Sequence, residues 1–364
     1  MTNDYFSNMT DRDIDALAAE IADGRRFSEN ELRALLKTSS PESLEKLFRT
    51  ARLVRDRFFS NKVFLYSFVY FSTYCRNKCA FCYYNAENRI SRYRLTPDEL
   101  RTMCRSIKEE GVHMIDLTMG EDPHFREKPE NLAEFVKIAK EESDLPVMVS
   151  PGVIDEGFIR LLKEAGADFF ALYQETHDRK LFSSLRVGQD FDERADARTN
   201  AKNAGMCIED GILSGIGGNE DEEIESAVVS VLAMTRQDPD QVRAMTFEPQ
   251  PGTPLEKQTQ APYLMELKII AVLRLMFPDR LIPASLDVAG IEGMVERLNA
   301  GANVVTSIIS ADSPLEGVVN FDKDVALCER QRDAKSVIKR LETMGMARAS
   351  AADFESYLNR RRAA

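Results

Sequence analysis

The sequence predicts an α/β fold, a (β/α)8 barrel of the TIM type with a helical extension before it. Three observations predict this. From Val63 onward, short β-branched and aromatic runs alternate strictly with amphipathic runs, the pattern of βα units on a parallel sheet. The alternation completes eight rounds, the number that closes such a barrel. The chain has 364 residues, 43% of them hydrophobic, enough for one large core, and barrels of this size run as a single unit. The expected organisation is a helical extension over residues 1–60, the barrel over 61–310 and C-terminal helices closing it over 311–364.

Taken in order, the extension carries Leu17, Ile21, Leu32, Leu35, Leu36, Leu44, Leu47 and Phe48 at helical intervals among charges, which predicts helices packed on the barrel. The first strand is the apolar run VFLYSFVYFSTY. Its helix starts at Thr96: the hydroxyl can N-cap, Pro97 suits the first helical position, Glu99 completes a capping box, and Leu95 and Leu100 form a staple across it. This helix ends near Gly111. Strand two is HMIDLTM, with the helix NLAEFVKIAKE. Strand three is PVMVS, and its helix places Phe158, Leu161, Leu162 and Ala165 on one face before Gly166. Strand four is DFFALYQ, followed by ERADARTNAKNAG. Strand five is CIEDGILSG, then IESAVVSVLAMTRQ. Strand six is VRAMTFE, then YLMELKIIAVLRLMF, stopped by Pro278. Strand seven is RLIPASLD, then IEGMVERLNAG. Strand eight is NVVTSII, then AKSVIKRLETMG.

Between the first strand and its helix lies CRNKCAFC, with Cys75, Cys79 and Cys82 spaced Cys-x3-Cys-x2-Cys. Three thiolates on one tight loop are ligands for a soft metal site. A structural zinc site is usually closed by four protein ligands, and the nearest histidine, His113, lies beyond a loop and a helix. The alternatives are a zinc knuckle with a distant fourth ligand, or a four-iron cluster with one iron left open for a small molecule. The loop follows a strand, so it sits at the C-terminal rim, where barrels of this kind carry function.

With Phe81 just before the last cysteine, this motif resembles that of the radical S-adenosylmethionine enzymes. The resemblance implies a [4Fe-4S] cluster on Cys75, Cys79 and Cys82, whose open iron chelates the amino and carboxylate groups of S-adenosylmethionine. MGEDP, residues 119–123, is similar to the family's second-strand motif, with Met119 in place of one glycine. The run from YQET through KLR to FDER resembles the biotin synthase and hydrogenase-maturase branch. On that resemblance Glu175 and Arg194 anchor the cofactor, Ser150 contacts it, and Arg186 assists. A guanidinium fork is the natural partner of a carboxylate. The alternative for each is an exposed salt bridge. The glycines of GILSGIGG resemble the fifth strand that lies beside the adenine in this family, and equally describe a plain tight turn.

Three strands hold charges in apolar runs: Asp116, Arg243 and Asp287, with Ser285 two residues before the last. Buried charges are expensive unless paired. Ser285 and Asp287 share a strand face, so both can point inward. Two carboxylates and one guanidinium complement a ligand with two ammoniums and one carboxylate, that is, a diamino acid such as lysine or ornithine. An internal Asp–Arg salt bridge is the other reading.

Nearly the whole chain, including HMIDLTMGEDP and GIEGMVERLNAGANVVTSI, resembles the methylornithine-forming lysine mutases within this family. That implies conversion of L-lysine to (3R)-3-methyl-D-ornithine, the first step of pyrrolysine biosynthesis. Hydrogen abstraction at Cγ, Cα–Cβ fragmentation and recombination accomplish it. It also implies a one-electron reductant protein of flavodoxin or ferredoxin type. Cys104, Cys207 and Cys328 are scattered, which argues against the second cluster that sulfur-inserting members need. The 60 acidic against 48 basic residues, a net charge of −12, disfavour nucleic acid as a partner. The longest apolar run is too short to span a membrane, and no signal-peptide pattern opens the chain. A cytoplasmic protein is expected, with clustered thiols suited to a reducing compartment.

Overall fold

The computed structural model describes residues 5–309 and 332–363. Three helices come first: α1 (Asp11–Ala22), α2 (Glu29–Leu36) and α3 (Pro41–Phe59). Each starts on a hydroxyl. Thr10 and Ser28 form capping boxes with Asp13 and Glu31, and Ser40 caps a helix whose first residue is Pro41. Their apolar faces, including Leu17, Ile21, Leu32, Leu35 and Leu47, are buried in the main core. The extension is therefore part of the barrel's outer layer.

The barrel begins with β1 (Lys62–Ser72), buried along its length except at Lys62. A strand buried on both faces reads as a continuous apolar run, as this one does. Then follow α4 (Pro97–Glu109), β2 (Met114–Met119), α5 (Pro123–Glu127), α6 (Pro129–Ser143), β3 (Val147–Ser150), α7 (Glu156–Glu164), β4 (Phe169–Ala171), α8 (Arg179–Leu185) and α9 (Phe191–Asn203). The second half contains β5 (Cys207–Ser214), α10 (Glu220–Gln237), β6 (Gln241–Thr246), α11 (Leu264–Met276), β7 (Pro283–Ser285), α12 (Gly290–Asn299) and β8 (Val304–Ile308). After the undescribed stretch come α13 (Ala334–Thr343), β9 (Ala347–Arg348) and α14 (Ala351–Arg362). The Thr96 capping box and Pro97 stand where the sequence predicts them.

All eight barrel strands are parallel, in the order β6-β5-β4-β3-β2-β1-β8-β7. The ring closes through one bridge, Gln241 to Leu281. There the Val242 amide donates to the Leu281 carbonyl at 3.0 Å, and the Leu281 amide donates to the Asp240 carbonyl at 3.2 Å.

The structure departs from the sequence reading in four places, one of them β7, which keeps only Pro283–Ser285 of RLIPASLD. Short α5 and α8 precede the main helices after strands two and four, each started by an aspartate cap, Asp122 and Asp178. Strand four is regular only over three residues. Beyond Ala171 its carbonyls turn to arginines: Arg198 donates to Leu172 O at 2.7 Å, and Arg186 and Arg194 donate to Tyr173 O at 3.0 and 2.7 Å. Finally, β9 pairs with the first residues of β1, and α14 covers the N-terminal mouth. Its Phe354, Tyr357 and Leu358 pack on Phe64, Tyr66, Met114, Met148 and Phe169, and the Tyr357 hydroxyl donates to Asp240 O at 2.6 Å. Cys104 on α4 and Cys207 at the start of β5 are buried, and Cys328 lies outside the described residues.

Candidate active site

The cysteine loop is held at both ends. Where β1 stops, the Ser72 hydroxyl donates to the Asp122 carboxylate at 2.6 Å, and Arg94 clamps the same carboxylate at 2.5 and 2.9 Å. Within the loop, the Arg92 guanidinium donates to Asn85 O at 2.8 Å and Asn88 O at 3.2 Å. Asn85 Nδ2 donates to Cys79 O at 2.9 Å, and the Ala80 amide to Leu185 O at 2.8 Å. Gly120 lets the end of β2 press on the loop, since a Cβ there would stand 2.6 Å from that of Cys75. Arginine forks and backbone donors thus replace regular structure.

Cys75, Cys79 and Cys82 line one cavity of about 200 Å³ together with Ser150, Glu175, Arg186 and Arg194. All seven residues predicted for the cluster and its cofactor meet there. No three His, Cys, Asp or Glu side chains among the described residues could hold a single metal ion. Three thiols around a shared cavity fit a multi-iron cluster better than one ion. Burial raises the Cys75 and Cys82 thiols above their usual range, and the neighbouring sulfurs add to this at Cys82. Iron must displace those protons on loading.

The opposite wall carries complementary charges. Arg186 Nη2 donates to Glu175 Oε1 at 2.6 Å, and Arg194 lies 3.7 Å from Glu121 Oε1. Both guanidinia are buried, so neither is an exposed ion pair. Burial works against charge on Arg186, and Glu175 with the Cys79 and Cys82 sulfurs outweighs it. At Arg194 burial and the adjoining Arg186 cation lower the pKa. An arriving carboxylate would relieve two crowded cations. Glu175 has φ 69°, a left-handed conformation that costs a non-glycine residue about 1–3 kcal/mol. Its amide donates to Gly211 O at 3.0 Å and its carbonyl accepts from Leu213 at 2.9 Å, which fixes the strain in place. Gln189, missed in the sequence, donates to Cys79 Sγ at 3.0 Å and bonds both arginines through Oε1.

A second cavity, of about 280 Å³, shares Phe81, Cys82, Tyr84, Tyr173 and Glu175 with the first and is lined by Arg243 and Asp287. Of the four residues predicted for the substrate, Arg243 and Asp287 line this cavity, whereas Asp116 and Ser285 are buried beside them and line neither cavity. Arg243 on β6 stands with Asp116 on β2. Burial, then the charge of Glu209, pushes the Asp116 carboxyl up to about 8, with Arg243 opposing. Neither Asp116 oxygen has a hydrogen-bond partner among the described residues. Asp287 stands with Ser285: its carboxylate accepts from Ser285 Oγ at 3.1 Å, Ser307 Oγ at 2.6 Å, Tyr70 OH at 3.3 Å and Arg332 Nη1 at 2.8 Å.

Two partners were not foreseen. Arg243 Nε donates to Glu209 Oε1 at 2.8 Å, and Asp287 pairs with Arg332. The internal ion pairs are therefore Arg243–Glu209 and Arg332–Asp287, with neither aspartate bonded to Arg243. The signal for Glu209 was present, a charge inside the apolar strand CIEDGIL. Strand alternation separates it from Asp210 next door, which faces outward to Arg198 at 3.2 Å.

The Radical SAM superfamily matches residues 69–228. The 3-methylornithine synthase of Methanosarcina barkeri is 55% identical over 346 residues, covering 95% of this chain and 97% of that protein. The crystal structure of methylornithine synthase (PylB) superposes with a TM-score of 0.89 at 56% identity, covering 94% of this chain and 99% of that one. The [FeFe] hydrogenase maturase subunit HydE of Thermotoga maritima is 30% identical, covering 82% of this chain and 83% of that protein. The barrel, the cysteine motif and near full-length identity agree: the chain belongs to the 3-methylornithine synthase family of the radical SAM superfamily.

Proposed function

We propose that this chain isomerises L-lysine to 3-methylornithine. The observation that carries the reading is the pair of joined cavities, one lined by three thiols and the other by Arg243 and Asp287. Cys75, Cys79 and Cys82 hold a [4Fe-4S] cluster, and Glu175, Arg186, Arg194 and Ser150 surround the polar end of S-adenosylmethionine. When bound and reduced, these groups supply a radical able to take hydrogen from an unactivated carbon. The chain's own task is placement. Arg243 meets the lysine carboxylate, Asp116 beside it meets the α-ammonium, and Asp287 with Ser285 meets the distal ammonium. Anchors at both ends keep two fragments of the substrate within reach of each other, which is a proximity task. The electron donor in this reading is a flavodoxin or ferredoxin type protein. We place the reaction in a reducing cytoplasm, because the described cysteines are all free and cluster thiols must stay reduced. No helix among the described residues is long and apolar enough to cross a membrane.

Anaerobically reconstituted protein with lysine, S-adenosylmethionine and reductant should yield an isomer of unchanged mass with a new methyl doublet by NMR. Cofactor cleavage without such a product would point to another small amino acid as substrate. Arg194→Ala should leave iron content unchanged and weaken cofactor binding by about 1.5–3 kcal/mol, the worth of a charge-assisted hydrogen bond. Calorimetry on the unreduced protein measures it. An unchanged affinity would assign Arg194 to holding Tyr173 O and Gln189 alone.

A further inference from the structure

Glu209 is a fully buried carboxylate of the barrel interior that the lysine reading does not use. Its Oε1 accepts from Arg243 Nε at 2.8 Å, and its Oε2 accepts from the Tyr173 hydroxyl at 3.1 Å. The Arg243 guanidinium is also held against two rings, 5.4 Å from Tyr173 and 5.9 Å from Phe68. One bonded edge and two neighbouring rings restrain the guanidinium. Its Nη2 is buried with no partner among the described residues, and both oxygens of Asp116 share that condition. Glu209 and Arg243 both act on Asp116 through their charges, so the unmet donor and the unmet acceptor lie in one charge cluster with Glu209.

The charges decide what fits. Arg243 and Glu209 cancel, as do Asp287 and Arg332, so a bare carboxylate arriving at Nη2 finds no net positive charge and the Asp116 carboxyl beside it. An α-amino acid head brings a carboxylate for Nη2 and an ammonium for Asp116 and adds no net charge. We infer that Glu209, paired to Arg243 and Tyr173, makes this site select an α-amino acid head group over a simple carboxylate. The inference rests on the assignment of Arg243 to the lysine carboxylate. It makes Glu209 a specificity-determining residue that acts through its charge on the bound head group.

The test compares lysine with 6-aminohexanoate, which lacks only the α-amino group. Calorimetry on the reconstituted, unreduced holoenzyme with S-adenosylmethionine reads the ratio of affinities. Wild-type protein should favour lysine by about tenfold or more, the scale of one close charge pair. E209Q keeps the shape and an acceptor for Arg243 Nε but removes the charge. It should bring the ratio to within roughly threefold, because the ammonium loses a negative neighbour while a lone carboxylate gains. E209D keeps the charge one methylene further from Arg243 and should fall between. If E209Q does not fold, E209D decides alone, and a ratio equal to wild type overturns the inference. Equal losses for both ligands in E209Q also overturn it, since a purely structural role weakens both alike. Wild-type protein that binds lysine without discriminating overturns the inference and leaves the lysine reading intact. Wild-type protein that binds neither ligand overturns both.

Discussion

Cys79→Ala should abolish cluster assembly and cleavage of S-adenosylmethionine together, leaving iron and sulfide content at background. Of the three loop thiols, Cys79 is the buried one, and its sulfur accepts from Gln189 Nε2 at 3.0 Å and Arg186 Nη1 at 3.7 Å. Cys75→Ala and Cys82→Ala should lose the cluster as well, because a cubane held by two thiolates has two open irons. Cys104→Ala and Cys207→Ala should keep both cluster and cleavage. Both are buried away from the loop, and neither lines the cysteine cavity. Iron and sulfide analysis on the five variants decides this. A Cys79→Ala protein that still cleaved the cofactor would remove the cluster from this loop.

Lysine affinity should rise about tenfold per pH unit between roughly pH 6 and 8, then level off. The cause is Asp116. Burial and then the charge of Glu209 from β5 hold its carboxyl at about 8, Asp287 adds to this, and Arg243 from β6 opposes it. At neutral pH the ligand-free site keeps Asp116 protonated. An ammonium arriving there favours the ionised form, so binding at pH 7 should release about one proton. Calorimetry in buffers of different ionisation heat counts that proton directly. Asp116→Asn should bind lysine more weakly and lose the pH dependence. A flat profile in the wild-type protein would show that Asp116 meets no ammonium. Stability of the ligand-free protein moves the other way. The group is ionised in the unfolded chain above its usual value of 3.8 and protonated in the fold up to about 8. Within that window the unfolded state binds fewer protons, so this residue lowers stability by about 1.4 kcal/mol for each unit of pH.

Much of this architecture is legible in the chain because local rules and tertiary packing agree. The apolar run of β1, the capping box at Thr96 and the stop at Pro278 each have one physical reading, and the structure adopts it. Strand four was over-read because its sequence, DFFALYQ, carries no hint that Arg186, Arg194 and Arg198 would take its carbonyls. Those bonds come from residues 13 to 26 positions away. Charge in the barrel interior is legible where it interrupts an apolar strand, as at Asp116 and Arg243. Glu209 carries the same mark, next to Asp210 in the same strand. Arg332 and Gln189 carry no mark at all, since a polar residue in a polar segment is unremarkable until folding brings it to Asp287 or Cys79.

The ring of strands is not equally tight all the way round. From β1 to β6 and from β1 back to β7, neighbouring strands are joined by ladders of two or more paired residues, whereas β6 and β7 meet at one clasp between Gln241 and Leu281. Arg243 stands on one side of that clasp, and Ser285, followed by Asp287, on the other. The cysteine loop and the arginines of the cofactor wall belong to the firmly laced half. A shift at the clasp would change the span from Arg243 to Ser285 and leave the ladders from β1 to β6 unbroken. The barrel is thus a ring with one thin joint, and that joint falls between two charged residues that line the second cavity.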